Sequence, residues 1–201
     1  MSKEAAPDHP VHKFISARWS PYAFSRRLIP REDLLSIFEA ARWAASSFNE
    51  QPWRYLVASR DRKEDFERIL SCLLAGNQAW AREVPALALG CIRTSFTHNG
   101  RYNRVAQHDL GLASASLTFE ATSRGIYVHQ MAGIRPDKAR EVFSIPDGFE
   151  AVTALALGYR AEAGAGAPGL RARDEGPRTR RPQSEFVFGA EWGKPGLGST
   201  E

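Results

Sequence analysis

The chain has 201 residues, of which 43% are hydrophobic, so it is long enough for one domain and too apolar for wholesale disorder. No stretch approaches the roughly 18 consecutive apolar residues of a membrane span, and the N-terminus has no apolar signal-peptide core. We therefore expect a cytoplasmic protein. The net charge of +4 is uneven, with five arginines between Arg171 and Arg181, a cluster that suits nucleic acid, a phosphate group or a solvated tail.

The first half of the chain alternates helical and strand patterns. Residues 30–45 carry apolar side chains at helical spacing, with acidic residues near the start, and predict a helix. Residues 53–59 predict a strand. A second helical face covers residues 66–76, behind Asp61 and Glu64, whose spacing is typical of a capping box.

The second half continues this alternation. The near-continuous apolar run 84–92 predicts a buried strand, and a helix rich in small residues is predicted at 106–124. A strand at 126–130, a short helix at 136–143 and a last central strand at 151–159 follow. Strands that alternate with helices indicate an α/β or α+β sheet covered by helices.

Composition changes after the last predicted strand. Residues 160–177 are rich in Ala, Gly, Pro and Arg and predict an extended loop, while the tail that follows regains apolar residues and predicts a packed arm. Within this loop, the sequence from Gly164 matches G-x-G-x-x-G. A dinucleotide site needs a strand leading in and a helix starting on the glycines, and Pro168 interrupts the pattern, so a flexible loop is predicted. We expect one domain over 1–201, with 160–201 as loop and arm.

Other catalytic and metal-binding chemistries find little support. Cys72 and Cys91 lie in apolar surroundings without a C-x-x-C spacing and predict buried free thiols. The five histidines form no metal-ligand spacing, so we expect no metal. There is no G-x-S-x-G elbow, and the adjacent His108 and Asp109 are typical of a helix start rather than of a hydrolase base.

Two distant segments share an alternating pattern. Arg18, Ser20 and Tyr22 occupy alternate positions, so an extended chain would project them to one side. Arg178 and Arg180 repeat the alternation near the C-terminus. Arginine forks match phosphate oxygens bidentately, and a hydroxyl adds a donor. The two segments predict convergence on one phosphate monoester.

Between these segments lies the amide-rich turn SSFNEQPW, from Ser46 to Trp53. Its hydroxyls, together with Asn49 and Gln51, suit a flat heterocycle with alternating C=O and N–H groups. Trp53 begins the predicted strand, and we expect its ring to pack in the core rather than on a ligand.

In this order along the chain, the motifs resemble the nitroreductase family of FMN-dependent oxidoreductases. The resemblance extends from about Phe14 to Trp192 and includes RWS at 18–20, SSFNEQPW at 46–53, HQMAG at 129–133, IPDG at 145–148, ALGY at 156–159 and the tail RTRRPQSEFVF. It implies an α+β fold with a central mixed sheet covered by helices, an extended C-terminal arm, and a homodimer with one FMN in each of two interface pockets.

The resemblance also implies a set of cofactor-binding residues. The N-terminal and C-terminal arginines would bind the phosphate, the turn would reach the flavin of the neighbouring subunit, and the HQMAG backbone would lie against the reactive edge of the ring. The full expected set is Arg18, Trp19, Ser20, Tyr22, Ser46, Ser47, Asn49, Gln51, Met131, Ala132, Gly133, Arg178 and Arg180. Two positions depart from the family pattern, which often has proline at Ala45 and a basic residue at Tyr22.

The implied activity is electron transfer from NADH or NADPH, through FMN, to a small acceptor such as a nitroaromatic or a quinone, by a ping-pong mechanism. Since flavin N5 carries the hydride, no side chain is expected to be catalytic. Two alternatives stay open: another flavin redox task, such as dehalogenation or flavin breakdown, and a non-enzymatic nucleic-acid-binding protein that uses the 171–181 arginines. Against the latter, the cluster lacks interleaved aromatics. We expect no nucleic-acid or membrane partner.

Overall fold

A four-stranded antiparallel sheet forms the centre of the fold. The computed structural model describes residues 3–162 and 164–196. The strands are β1 (Trp53–Ser59), β2 (Ala86–Arg93), β3 (Tyr127–Met131) and β4 (Phe149–Gly158). Their order across the sheet is β1-β2-β4-β3.

Seven α-helices occur in the described part of the chain. They are α1 (Lys13–Ala17), α2 (Arg31–Arg42), α3 (Lys63–Ser71), α4 (Ala75–Ala81), α5 (Ala106–Ser123), α6 (Pro136–Phe143) and α7 (Pro168–Glu175). None of these helices is long and apolar enough to cross a membrane.

The α+β class is confirmed, but the sheet differs in detail from the mixed sheet that was expected. All three pairings among the described strands are antiparallel. The cause lies in the connections: α3 and α4 return the chain so that β2 runs against β1, and β4 likewise runs against both of its neighbours.

Strand β2 explains the continuous apolar run in the sequence. It is buried at every position except its last residue. Leu87 and Leu89 belong to the core on one face of the sheet, with residues of α3 and α4. Ala86 and Ala88 belong to the core on the other face, with residues of α2 and α5. Because successive side chains alternate between faces, a strand covered on both sides must be apolar throughout.

Most of the predicted elements are confirmed, and the helix at 66–76 is the main exception in the first half. There, α3 ends at Ser71 and α4 begins at Ala75, because Leu73 pairs with Ile134 in an isolated bridge. The predicted capping box is wrong. The N-cap of α3 is Arg62 and makes no side-chain cap.

The predicted loop at 160–177 is also wrong in part, because it contains α7. Pro168 does not interrupt this segment; it occupies the start of the helix, where its missing N–H has no intrahelical partner to lose. The helix has little apolar periodicity because a single buried carboxylate anchors it. Asp174 accepts hydrogen bonds from the backbone amides of Tyr22 (3.0 Å) and Ala23 (2.9 Å).

Candidate functional site

The N-terminal extended segment lies beside the edge strand β3. Ser20 Oγ donates a hydrogen bond to the carbonyl of Val128 at 3.3 Å, and Arg18 Nη1 donates to Ser20 Oγ at 3.4 Å. Trp19 is buried, and its ring packs edge-on against Tyr127 with centroids 5.8 Å apart. The sheet edge therefore fixes the segment, and Arg18 and Ser20 lie together as the alternating pattern predicts.

Tyr22 points into an aromatic cluster at the end of this segment. Its ring packs against Trp80 at 5.3 Å and His129 at 4.6 Å, and Arg173 Nη1 donates to its hydroxyl at 3.0 Å. The Nδ1 atom of His129 lies 2.8 Å from the carbonyl of Pro21. Burial lowers the pKa of His129, although this carbonyl and nearby Asp174 oppose the shift. The hydroxyl of Tyr22 is thus engaged within the fold.

Arg178 joins the C-terminal segment to the N-terminal one. Its Nη1 donates to the carbonyls of Lys3 (2.7 Å) and Ser16 (2.6 Å), and its Nη2 donates to the carbonyl of Arg18 (2.7 Å). Three of its five N–H donors are therefore used by the backbone. The alternation in the sequence gives Arg178 and Arg180 equal roles, whereas the structure gives Arg178 an additional architectural one.

Arg18, Arg178 and Arg180 form a cluster of like charges, which we term the arginine cluster. Burial is the main cause that lowers the pKa of the Arg18 guanidinium, and repulsion from Arg178 and Arg180 adds to it. The three residues line a cavity of about 460 Å³ together with the N-terminal segment 5–9. An anion in this cavity would relieve the repulsion, so the donor set fits a phosphate group.

The turn at Ser46–Gln51 has an unusual backbone. Phe48, Asn49 and Gln51 have φ angles of 52°, 54° and 49°, in the left-handed region that costs non-glycine residues roughly 1–2 kcal/mol each. Ser46 Oγ accepts a hydrogen bond from the amide of Gln51 at 3.0 Å. Such strain persists only where surrounding contacts hold it in place.

Asp109 is one of these contacts, and sequence reasoning gave it no role beyond a helix start. It is only 2% exposed and accepts a hydrogen bond from the amide of Ser47 at 3.1 Å. It lies in the first turn of α5, where an acidic residue is favoured, and that position was the available signal. Asp174, the buried anchor of α7, had no comparable signal.

The amides of the turn remain at the surface. Gln51 Nε2 donates to Asn49 Oδ1 at 3.0 Å and to the carbonyl of Asn49 at 3.2 Å, and Asn49 itself is exposed. The amide pair is thus preorganised in an accessible position. In contrast, Trp53 is buried, which confirms that it packs in the core.

The segment after β3 is fixed on one side and open on the other. Met131 is buried, and its carbonyl accepts a hydrogen bond from Thr153 Oγ1 at 2.9 Å. The carbonyl of Gly133 accepts one from Asn77 Nδ2 at 3.1 Å, and a Cβ at Gly133 would lie 2.6 Å from that nitrogen. Between them, Ala132 is exposed. A flat ligand therefore has access to Ala132, whose carbonyl accepts a hydrogen bond from the amide of Ile134 at 2.9 Å.

The expected site residues fall into two groups within one chain. The arginine cluster, Ser20 and the end of β3 lie at one edge of the sheet, whereas the turn directly precedes β1 at the other edge. Three interstrand spacings separate these edges, about 14 Å. The chain does not bring the turn onto its own arginine cluster.

The two cysteines are buried free thiols, as the sequence predicts. Burial raises the pKa of Cys91 to about 11 and also raises that of Cys72, so both thiols stay protonated at neutral pH. Within residues 3–162 and 164–196, no group of three or more His, Cys, Asp or Glu side chains could hold a metal ion.

Comparison with known proteins identifies relatives along most of the chain. The family model described as Nitroreductase family matches residues 15–159. An uncharacterized 15.4 kDa protein of Mycolicibacterium smegmatis is 33% identical over 148 residues, which cover 71% of this chain and 99% of that protein. The major NAD(P)H-flavin oxidoreductase of Aliivibrio fischeri is 22% identical over 195 residues, covering 75% of this chain and 88% of the other.

Solved structures share the fold. A protein described as an oxidoreductase containing FMN superposes with a TM-score of 0.89 at 33% identity, covering 96% of this chain and 98% of that chain. A nitroreductase family protein from Clostridium difficile 630 superposes with a TM-score of 0.69 at 23% identity, covering 89% of this chain and 96% of the other.

Proposed function

Because the chain belongs to the nitroreductase family, we propose that it is an FMN-dependent oxidoreductase that uses NADH or NADPH to reduce a small acceptor such as a nitroaromatic or a quinone. The arginine cluster beside Ser20 carries this proposal, since three mutually repelling guanidiniums suit a phosphate monoester. The FMN named for the structural relative and the NAD(P)H named for the Aliivibrio enzyme support the choice of cofactor and reductant.

Particular residues would hold the cofactor. Arg18, Ser20 and Arg180 would bind the phosphate, while Arg178 adds positive charge and fixes the segment that carries Arg180. When bound, FMN supplies the hydride chemistry. The exposed backbone at Ala132 would lie against the edge of its ring. The protein contributes binding, orientation and shielding from water, so no side chain needs to act as acid, base or nucleophile.

The second group of site residues leads us to propose a homodimer. The turn and the arginine cluster flank opposite edges of the sheet, so Ser46, Ser47, Asn49 and Gln51 would serve the flavin of the partner. The outer surface of α2 is apolar enough for subunit contact, with Trp43 76% exposed and Leu35 49% exposed. We further propose that the chain acts as one domain in the cytoplasm.

Cofactor identity and electron transfer can be tested directly. Heat-denatured protein should release FMN, identified by chromatography of the supernatant.

Reduction should consume one NAD(P)H and one proton for each quinone converted to hydroquinone. Stopped-flow absorbance should show reduction by NADH or NADPH and then reoxidation by the acceptor. Double-reciprocal plots should be parallel, because donor and acceptor take turns in one pocket. Recovery of FAD, or an FMN-loaded protein that neither nicotinamide reduces, would contradict the proposal.

A further inference from the structure

A small group of rings lies on the surface beside the turn. Phe48 packs edge-on against Phe96 with centroids 5.8 Å apart, and His98 lies 5.3 Å from each of them. We term Phe48, Phe96 and His98 the aromatic platform. Phe48 is 81% exposed and His98 is also exposed, while Phe96 is half-buried. The platform therefore presents ring surface to solvent and contributes little to either core.

Both the exposure and the backbone conformation of Phe48 are unfavourable for folding. Its φ of 52° lies in the left-handed region, where a bulky side chain is uncommon. Neither burial nor backbone preference accounts for a phenylalanine at this position. An exposed aromatic ring on a strained turn is typical of a binding surface.

The loop that carries Phe96 and His98 is fastened to the turn. Both carboxylate oxygens of Glu50 accept from the amide of Thr97 at 2.9 Å, and the Thr97 hydroxyl donates to Glu50 as well. Burial opposes ionisation of Glu50, but these hydrogen bonds and the charges of Arg93 and His98 outweigh it and keep its pKa below the usual range. The ionised carboxylate therefore holds the platform together at neutral pH.

The same loop is closed by its own backbone. The amide of Phe96 donates to the carbonyl of Arg101 at 2.8 Å, and Ser95 pairs with Tyr102 in an isolated bridge. Arg101 thus stands directly across the loop from Phe96. The platform is preorganised, so a ligand need not order it on binding.

The loop that carries Phe96 and His98 is rich in positive charge. From Arg93 to Arg104 the chain carries three arginines and one histidine and no aspartate or glutamate. Among nearby carboxylates, Glu50 is engaged by Thr97, Asp147 adjoins Gly148, whose carbonyl accepts from Thr94, and Glu150 pairs with Ile92. A ligand with a flat ring and an acidic group would match both features of this surface.

We propose that the aromatic platform binds planar aromatic acids and selects them as electron acceptors. This inference rests on the proposed function, since the platform flanks the turn that would face the partner's flavin. Phe48 and Phe96 stack on the ring of the acceptor, and Arg101 attracts its acid group. For a quinone sulfonate the reaction is balanced, because NAD(P)H and one proton reduce the quinone to the hydroquinone and the sulfonate is unchanged.

Binding is tested first without turnover. The FMN-loaded protein is titrated calorimetrically with three ligands. Naphthalene sulfonate carries both an aromatic ring and a negative charge, neutral naphthol carries only the aromatic ring, and cyclohexane sulfonate carries only the charge. We expect the naphthalene sulfonate to bind most tightly, and Phe48→Leu or Phe96→Leu to weaken it about tenfold. Arg101→Gln should weaken the sulfonate about threefold and leave naphthol unchanged. Trp192→Leu and Arg82→Gln, which alter exposed residues elsewhere, are the matched controls and should change nothing.

Kinetics then separate this inference from the proposed function. Phe48→Leu should raise KM for a naphthoquinone sulfonate about tenfold while leaving the limiting rate of reduction at saturating NAD(P)H and the KM for ferricyanide unchanged. If wild-type protein is reduced normally but Phe48→Leu binds and reduces every acceptor as wild type does, the platform inference is wrong and the proposed function stands. If neither nicotinamide reduces the loaded protein, the proposed function fails, and the titrations still decide whether the platform binds aromatic acids.

Contact between subunits is the alternative role for Phe48. If the ring is instead buried against a second copy of the chain, Phe48→Leu should weaken self-association in sedimentation equilibrium without changing the affinity for naphthalene sulfonate. That pair of results would overturn the inference. Unchanged self-association together with weaker binding would support it.

Discussion

The two edges of the sheet use polar side chains in opposite ways. Beside β3, polar groups are engaged by the fold: Arg178 donates to three backbone carbonyls and Asp174 accepts from two backbone amides. Before β1, the turn keeps Asn49 and Phe48 exposed on a strained backbone. One edge is therefore stabilised by its polar residues, whereas the other is strained and leaves its side chains available to a ligand. Substitutions at the two edges should affect different properties.

The largest effect is expected at Asp174. Asp174→Ala leaves the partly buried amides of Tyr22 and Ala23 without an acceptor and should lower the free energy of unfolding by about 3 kcal/mol. The measurement is urea unfolding followed by circular dichroism. Glu175→Ala, which alters the adjacent exposed carboxylate, is the control and should change the free energy by less than about 0.5 kcal/mol. Equal effects of the two substitutions would show that Asp174 does not anchor α7.

Substitutions in the arginine cluster should affect FMN affinity and the free energy of unfolding to different extents. Under the proposed function, Arg180→Ala removes one charge-assisted contact worth about 1.5–3 kcal/mol, so FMN affinity should fall by about one to two decades with little change in unfolding. Arg178→Ala should lower both FMN affinity and stability, because its three carbonyl contacts are also lost.

Arg62→Ala is the matched control for both variants, since Arg62 lies outside this cavity, is largely exposed and pairs with Asp65 at 3.9 Å. Fluorescence titration with FMN and urea unfolding are measured on all three proteins. If Arg180→Ala and Arg62→Ala have the same affinity for FMN, the arginine cluster does not bind the phosphate.

Subunit mixing tests whether the two edges meet across a dimer. Under the proposed function, Asn49→Asp would place negative charge beside the reduced flavin and Arg18→Glu would repel the phosphate, so each homodimer should be inactive. Consider a mixed dimer in which Asn49 acts on the pocket of the partner chain. One pocket then contains both substitutions, and the other pocket contains neither and stays intact. We expect up to half of the wild-type activity per mixed dimer. If both residues act within one chain, each pocket keeps a lesion and mixing restores nothing; a monomeric wild-type protein would exclude the arrangement altogether.

The smallest effect is a pH dependence from His129 at the β3 edge. Because burial lowers its pKa, the unfolded chain binds more protons than the folded one as pH falls through the unfolded value of about 6.5. Stability should therefore decrease from pH 7 downward and level off below the lowered folded pKa. His129→Phe should flatten this part of the profile, measured by urea unfolding at several pH values.

Local pattern was sufficient for the positions of the strands and of most helices, but not for the antiparallel pairing of the sheet. β2 and α6 follow from an apolar run and from a proline at a helix start, which are properties of neighbouring residues. Helix α7 could not be predicted in this way, since its anchor Asp174 contacts Tyr22, 152 positions away. The same contact explains why Tyr22 turns toward Trp80 instead of lying free beside Arg18.

In the candidate site, the sequence predicted which neighbouring residues lie together better than it predicted the backbone conformation. Alternation brought Arg18 and Ser20 together as expected, because an extended segment beside a sheet edge has a simple geometry. The left-handed backbone of the turn could not be predicted from its residue types. Of its three left-handed residues, Asn49 is a type that tolerates this conformation, whereas Phe48 and Gln51 are not. Their conformation depends on Asp109, a contact from another helix.

The outward orientation of Phe48 has an evolutionary consequence. Its ring packs in neither core, and the backbone of the turn is held by Ser46 and Asp109. Exchange for another unbranched side chain would therefore leave folding nearly neutral, while a β-branched residue would add strain in the left-handed region. Under the platform hypothesis, substitutions at this single codon would retune acceptor preference without disturbing the scaffold, which makes position 48 a natural starting point for directed evolution of new substrate ranges.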